Sequence, residues 1–271
     1  MEKSIRQPVV LTIAGFDPSG GAGVLADIKT FAAFGCYGLA AVTSLTFQNT
    51  QQVFGALNQT AETTLQQLVR LFDDFEISAI KTGMLPTVDT IRGVAGLIRA
   101  NSVPIIVVDP VLKSTSGYDL VEEGAVEALR SDLFPLATLV TPNVAEAQRV
   151  AGADIAEQFQ MERAAETILK AGAGAVLITG CDADSSFATD LLLDAQGTAL
   201  FRAERIRSKH THGTGCTLAS ALACLLARGR SLRESIPIAK EYVVQAIAAA
   251  PGVGRGNGPL NHFPPGFRFQ P

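Results

Sequence analysis

The chain alternates between short apolar runs, many of them β-branched, and longer stretches in which apolar residues recur at helical spacing. Strand-like runs fall at 9–15, 38–47, 77–83, 105–110, 137–142, 175–180, 190–194 and 198–206. Most of the first six are continuously apolar instead of alternating. That pattern belongs to strands covered on both faces in a mostly parallel sheet. Helical periodicity falls at 22–34, 61–73, 88–100, 122–130, 143–151 and 160–171, and two further helices close the pattern at 215–228 and 232–249. Strand and helix in repeated alternation predict right-handed crossovers and an α/β, three-layer αβα sandwich. The stretch 190–206 has a short Gly-containing turn and reads as a hairpin late in the sheet. With no linker, charge run or repeat, residues 1–271 read as one domain, with 1–8 and 264–271 as tails. The Gly- and Pro-rich stretch from 251 onward is expected to be surface loop.

Composition narrows the function classes. Hydrophobic residues make up 47%, charged residues 18%, and the formal net charge is −4. A nucleic-acid or anionic-membrane partner calls for a basic field that this chain lacks. The cysteines Cys36, Cys181, Cys216 and Cys224 form no C-x-x-C pair, and three histidines are available, so neither a disulfide framework nor a zinc site is expected. The opening MEKSIRQP does not lead into a signal peptide, and no apolar run is long enough to span a bilayer. These features predict a cytoplasmic protein.

In a parallel α/β sheet, ligands sit beyond the carboxyl ends of the strands. The segments there are rich in Gly, Asp, Asn, Ser and Thr. In THGTGCTLASALACLL (211–226), Gly213 and Gly215 bracket Thr214 immediately before a helix. Such a turn aims backbone N–H groups and the positive end of the helix dipole at an anion. Cys216 falls in the first helical turn, where a thiol pKa is lowered; the competing reading is a small core residue. In TPNVAEA (141–147), Asn143 and Glu146 are either a capping box or a pair that holds Mg²⁺ beside phosphate oxygens. Asp109, in VVDPV, is either a turn residue or a second acidic group near that metal. No Walker A pattern occurs, and GVGRGNG (252–258) opens no helix, so it is no dinucleotide fingerprint.

The other end of the site falls in IAGFDPSGGAG (13–23). A strand enters a tight turn at Asp17-Pro18-Ser19, and Gly20, Gly21 and Gly23 let the backbone approach a ligand. Gln48 follows a long apolar strand, and its amide suits the edge of a pyrimidine. Met84 is either core packing or a soft wall for a flat ring.

Taken together, LTIAGFDPSGGAGVLADIKTFAAFGCYG, TSLTFQNTQQV, IKTGML, VVDPVLKSTSG, LVTPNVAEA, HTHGTGCTLASALA and GNGPLNHF resemble the hydroxymethylpyrimidine/phosphomethylpyrimidine kinases of thiamine biosynthesis. Those enzymes lie within the ribokinase-like superfamily. The motifs keep the family's order from about residue 9 to residue 263. The resemblance implies a mainly parallel sheet of eight to ten strands with no separate lid domain. It also implies ATP and Mg²⁺ as cofactors, a homodimer, and two successive phosphorylations at one site. By the same resemblance, Gly213, Thr214, Gly215 and Cys216 form the anion hole. Gln48, Met84, Gly15 and Ala22 line the pyrimidine pocket, with Asp17 and Val111 beside it. Asn143, Glu146, Asp109 and Thr179 serve ATP–Mg²⁺, the metal lying near Glu146 and Asp109, directly or through water. The chain departs from the family's usual pattern at three places. Leu25 replaces a Gln, Thr179-Gly180-Cys181-Asp182 replaces Lys-Gly-Gly-His, and Tyr118 replaces an Asp.

The rival of the same chemistry is a pyridoxal or pyridoxine kinase, against which Gln48 and Met84 weigh modestly. A non-catalytic ligand-binding protein on the same scaffold is opposed by the presence of Cys216, Asn143, Glu146 and Asp109. A nicotinamide-dependent oxidoreductase is disfavoured because no G-x-G-x-x-G follows the first strand.

Overall fold

The computed structural model describes residues 7–114, 117–181 and 186–269. Its sheet has nine strands in the order β3-β2-β1-β4-β5-β6-β7-β8-β9. These are β1 (Val9–Phe16), β2 (Tyr37–Gln48), β3 (Val53–Asn58), β4 (Ala79–Thr82), β5 (Ile106–Val108), β6 (Leu139–Val140), β7 (Val176–Ile178), β8 (Phe187–Asp194) and β9 (Gly197–Glu204). From β2 through β1 and β4 to β7 every pairing is parallel, so six carboxyl ends meet at one edge. β3, β8 and β9 extend the sheet with antiparallel pairings. The chain winds outward in both directions from β1 and β4, which places the topological switch point, and hence the expected ligand crevice, at those two strands.

The continuously apolar runs follow from side chains alternating between two buried faces. Leu11, Ile80, Val108, Val140 and Val176 point to one core, which α2 (Ala61–Asp74), α3 (Val88–Asn101), α5 (Val144–Ala151) and α6 (Gln158–Lys170) cover. Their neighbours Val10, Ala79, Val107, Leu139 and Leu177 point to the other, under α1 (Gly23–Ala33), α7 (Thr214–Ala227) and α8 (Leu232–Ala248).

Three features depart from the sequence reading. The residues before 61 form β3, an edge strand whose antiparallel pairing with β2 makes 49–52 a hairpin turn; Val53–Asn58 is too short and mixed to show a period. The helix expected at 122–130 shrinks to α4 (Ala125–Ala128). It then widens into a π-turn over Leu129–Leu133 and ends in a 3₁₀ turn holding Pro135, whose ring cannot continue an α-helix.

The third departure is a correction: 264–269 is no tail. Phe267 and Phe269 pack on the buried Phe34, with ring centroids 5.2 and 5.3 Å away, and Phe267 lies 4.6 Å from Tyr242. Arg228 covers the Phe269 ring at 4.8 Å. The Tyr242 hydroxyl donates to the carbonyl of His262 at 2.8 Å. At the other end, Gln7 donates to the Gly35 carbonyl, while residues 1–6 of the expected N-terminal tail lie outside the described residues. Among the described residues no helix is long and apolar enough to cross a membrane.

The aromatic cluster generates a stability prediction. Phe267→Ala should cost about 2 kcal/mol, less than a fully buried Phe because the ring is half-exposed. Urea unfolding read by circular dichroism would measure it. A change under ~0.5 kcal/mol would mean that the segment only rests on the core.

Candidate active site

The site begins in the turn between β1 and α1. Asp17 accepts backbone N–H bonds from Ser19 at 2.8 Å and Ala22 at 2.9 Å, and its carboxylate lies 2.8 Å from Nε2 of His212. Burial opposes its charge, but hydrogen bonds from His212, Gln48 and Ser19 outweigh that cost and hold the carboxyl well below the usual carboxylate range. Gly23 has φ +57°, and a Cβ there would lie 2.1 Å from the Gly15 carbonyl oxygen. The turn can close this tightly only on glycine.

The second turn caps α7. Gly213 has φ +83°, and a Cβ on it would lie 1.9 Å from the carbonyl oxygen of Gly21. The two glycine-rich turns therefore pack backbone on backbone. Thr214 Oγ1 donates to the Thr211 carbonyl at 2.7 Å and Thr217 N–H closes on Gly213, which holds the first helical turn in shape. The N–H groups of Gly215 and Cys216 belong to that first turn and have no acceptor within the helix. Both residues line the cleft, so the turn offers it donors and the positive end of the helix.

Beneath the turns lies a polar cluster that sequence reasoning missed. Lys81, on β4, is fully buried, with Nζ 3.1 Å from both oxygens of Asp27 and 3.6 Å from Asp109. Asp27, on α1, also accepts from Thr12 Oγ1 at 2.6 Å and Ser220 Oγ at 2.7 Å. Burial alone would lower the Lys81 pKa, but the charge of Asp27, then of Cys216 and Asp109, raises it above the ordinary lysine value. One signal in the sequence was available: a lysine inside the apolar run ISAIKTG is out of place in a doubly covered strand unless it is paired.

The cluster corrects the expectation for Cys216. Burial pushes its thiol up to about 12; Lys81 offsets part of this, while Asp109 and Asp27 add to it. The helix terminus does not win, because burial strips a thiolate here of its hydration and two carboxylates add to the cost.

Asn143 and Glu146 do form a capping box. Asn143 Oδ1 accepts from Glu146 N–H at 2.9 Å, and Glu146 Oε2 accepts from Asn143 N–H at 2.9 Å. The box leaves both side chains at the cleft. Burial and then the nearby Asp109 charge push the Glu146 carboxyl up to about 8, against the N–H bonds of Asn143 and Leu112. Asp109 is raised as well, chiefly by burial, with Lys81 opposing, and its Oδ2 is buried without a hydrogen-bond partner. Two buried carboxyls with raised pKa values, of which the Asp109 charge raises Glu146 and Asp109 Oδ2 keeps only Lys81 Nζ at 3.6 Å, fit a divalent cation. Among the described residues no group of three or more His, Cys, Asp or Glu side chains could hold one alone. A Mg²⁺ ion here would therefore share its shell with water or ligand oxygens. Thr179 joins Asn143 through a parallel bridge at the same rim; Asp182 of the altered 179–182 segment lies outside the described residues.

At the opposite end Met84 packs on the bare face of Gly15: a Cβ there would lie 3.0 Å from Sδ. Thr43 Oγ1 holds the Met84 carbonyl at 2.6 Å. Gln48, Ala22 and Val111 complete this apolar slot, and Val111 N–H is tied to the Asp109 carbonyl at 2.9 Å. One cleft, open to solvent, brings together Gly15, Asp17, Ala22, Gln48, Met84, Asp109, Val111, Asn143, Glu146, Thr179 and the turn Gly213–Cys216. Besides Lys81, sequence reasoning missed His212, the hairpin turn 49–52 and Asn257, all of which line the cleft.

Comparison with known proteins agrees with this geometry. The hydroxymethylpyrimidine/phosphomethylpyrimidine kinase of Rhizobium meliloti is 43% identical over 259 residues, covering 94% of this chain and 97% of that protein. The thiamine biosynthesis bifunctional protein ThiED of Geobacter sulfurreducens is 44% identical over 94% of this chain, which spans about half (52%) of its length. Among solved structures, the pyridoxal kinase of Staphylococcus aureus in complex with AMP-PCP and pyridoxal superposes with a TM-score of 0.88 at 33% identity, covering 96% of this chain and 94% of that one. The family model described as phosphomethylpyrimidine kinase matches residues 17–261, and with that match spanning both glycine turns and the slot between them, the chain belongs to the phosphomethylpyrimidine kinase family.

Proposed function

We propose that the protein transfers the terminal phosphoryl group of ATP, bound with Mg²⁺, to 4-amino-5-hydroxymethyl-2-methylpyrimidine and then to the resulting monophosphate, in thiamine biosynthesis. The observation that carries this reading is the cleft itself. An apolar wall for a flat ring, made by Met84 packed on Gly15 with Gln48 beside it, lies in the same cleft as the anion turn Gly213–Cys216.

The roles follow from chemistry. Phosphoryl transfer has a loose transition state, so positioning and charge stabilisation dominate. Gly213, Thr214, Gly215 and Cys216 supply N–H donors to the oxygens of the moving group, each worth about 2.7–4 kcal/mol on analogy with other oxyanion holes. Asn143, Thr179, Glu146 and Asp109 serve the nucleotide end, where Glu146 and Asp109 would hold Mg²⁺, which neutralises charge on the triphosphate. Asp17, kept ionised by His212 and its backbone donors, fixes Gln48 so that the remaining amide valences face the ring. The acceptor hydroxyl must lose a proton in the first step. The neutral Cys216 thiol can take it on sulfur while passing its own proton toward Asp109. In the second step the acceptor phosphate is already ionised, and this relay is not needed.

Phosphorylation of pyridoxal is the second reading, favoured by the close fold match to a pyridoxal kinase holding that ligand. We also propose a homodimer. Leu45, Phe47 and Leu57 are exposed on one face of the β2–β3 edge hairpin, Leu45 directly opposite Leu57, and a second copy would cover them.

A product assay with ATP–Mg²⁺ and, separately, the hydroxymethylpyrimidine, its monophosphate and pyridoxal tests the assignment. Turnover of both pyrimidines, with pyridoxal slow, is expected; turnover of pyridoxal alone would transfer the protein to the second reading. Cys216→Ala should slow the first step by ~100-fold or more and the second by less than ~10-fold. Equal losses would remove the proton relay. Light scattering should give a dimer mass that Phe47→Glu with Leu57→Lys halves; an unchanged mass would place the contact elsewhere.

A further inference from the structure

The segment that follows α8 has no part in the roles above, yet it touches both ends of the site. Three of its glycines, Gly254, Gly256 and Gly258, are spaced two apart and lie hard against another chain segment, on backbone at Gly256 and chiefly on side chains at the other two. A Cβ on Gly254 would lie 2.4 Å from Thr50 Cγ2, one on Gly256 would lie 2.1 Å from the Thr50 carbonyl oxygen, and one on Gly258 would lie 2.2 Å from His210 Nδ1. Gly256 N–H donates to Thr50 Oγ1 at 3.1 Å. The next residues reach the anion turn: His212 N–H donates to the Gly258 carbonyl at 3.2 Å, and His212 bridges Pro259 in parallel. Beyond that, the buried His262 places Nε2 3.2 Å from Thr217 Oγ1, one residue past Cys216, while its carbonyl accepts from the Tyr242 hydroxyl and Asn261 N–H donates to the Ala246 carbonyl. Asn257 lies at the cleft between the two attachments.

We propose that residues 253–262 are a strap that clamps the acceptor-side hairpin turn, 49–52, to the anion turn, and so sets the distance between the bound acceptor and the moving phosphoryl group. The strap is a positioning element. Its far end is anchored in the core by Tyr242 and Ala246, and its near end holds Thr50 through a contact that only glycine permits. The turn 49–52 follows Gln48 directly, so a shift of Thr50 moves the wall that Gln48 belongs to. Displacements of about 1 Å at such a wall cost on the order of 100-fold in rate. The nucleotide end, at Asn143, Glu146 and Thr179, has no bond to the strap among the described residues and should not register its release.

This inference rests on the acceptor reading above, so its test needs one arm that does not depend on turnover. Gly256→Ala forces the strap off Thr50; Thr50→Val keeps the shape of the contact and removes the hydrogen bond. Steady-state kinetics should show the KM for the pyrimidine alcohol raised by ~10-fold or more in Gly256→Ala and by ~3-fold in Thr50→Val, with the KM for ATP within ~2-fold of the parent. In parallel, trypsin cleavage after the exposed Arg255 should be slow in the parent protein and faster by ~10-fold or more in Gly256→Ala, because cleavage needs a released backbone. Equal rises in both KM values would make the change a general loss of structure and overturn the proposal, as would unchanged cleavage at Arg255. If the parent turns over no pyrimidine at all, the acceptor reading fails by itself, and the cleavage rates still decide whether the strap clamps Thr50.

Discussion

The Lys81 ammonium lies fully buried between Asp27 and Asp109, and the elements that frame the cleft are tied together through it. Asp27 receives Lys81 from β4, Thr12 from β1 and Ser220 from α7, while itself standing on α1. One carboxylate thus joins four segments, reaching as far as Ser220, 193 residues on in the chain. Such a pair adds little net stability, since desolvation consumes most of the attraction. Removing one partner, however, strands a charge at a cost of about 3–5 kcal/mol. The arrangement therefore specifies a geometry more than it strengthens the fold. Its second partner, Asp109, carries the constraint into the cleft, where the Cys216 thiol and Glu146 both feel it.

Above that cluster the two ligand-facing turns are held by the absence of side chains. Gly23 closes on the Gly15 carbonyl, and Gly213 closes on the Gly21 carbonyl. The Asp17–His212 contact then bolts one turn to the other across 195 residues of sequence. On the proposed assignment the acceptor end hangs from the first turn and the anion-binding N–H groups from the second, so this backbone contact, the Asp17–His212 pair and the strap together fix their separation. A transfer reaction whose rate depends on approach distance profits from this rigidity.

Most of the cleft was legible because its chemistry is local. A glycine turn before a helix, an Asn three residues before a Glu and an Asp after an apolar strand each declare themselves within a few positions. All of them fall at carboxyl strand ends, which one parallel sheet gathers at a single edge. What stayed hidden was non-local. Lys81 pairs with residues 54 positions before it and 28 after it in the chain, and no window of sequence holds both. The same reason explains the thiol of Cys216. The local argument from the helix terminus was sound, but burial under distant segments decides, and Asp109 and Asp27, from β5's end and from α1, add to it. Likewise 251–269 looked like a tail because Gly and Pro dominate it, whereas its glycines serve close approach and Phe267 and Phe269 complete the core.

A protein of net charge −4, with Asp17, Asp109 and Glu146 in its cleft, must still admit a triphosphate. On the proposed assignment, backbone donors share this task with Lys113, which also lines the cleft. The donors nearest the reacting group are backbone N–H groups backed by a helix dipole, which attract an anion but carry no net charge. The buried Lys81 offsets the carboxylates from behind, out of reach of solvent screening. The remaining imbalance is between Asp109 and Glu146, where two raised carboxyls resist full ionisation in the absence of a cation. A nucleotide that arrives with its own divalent ion relieves that repulsion, whereas a bare triphosphate adds to it. On the proposed assignment the acidic pair would discriminate between the two forms of the nucleotide, and the same carboxylates that would repel the free anion would favour its metal complex.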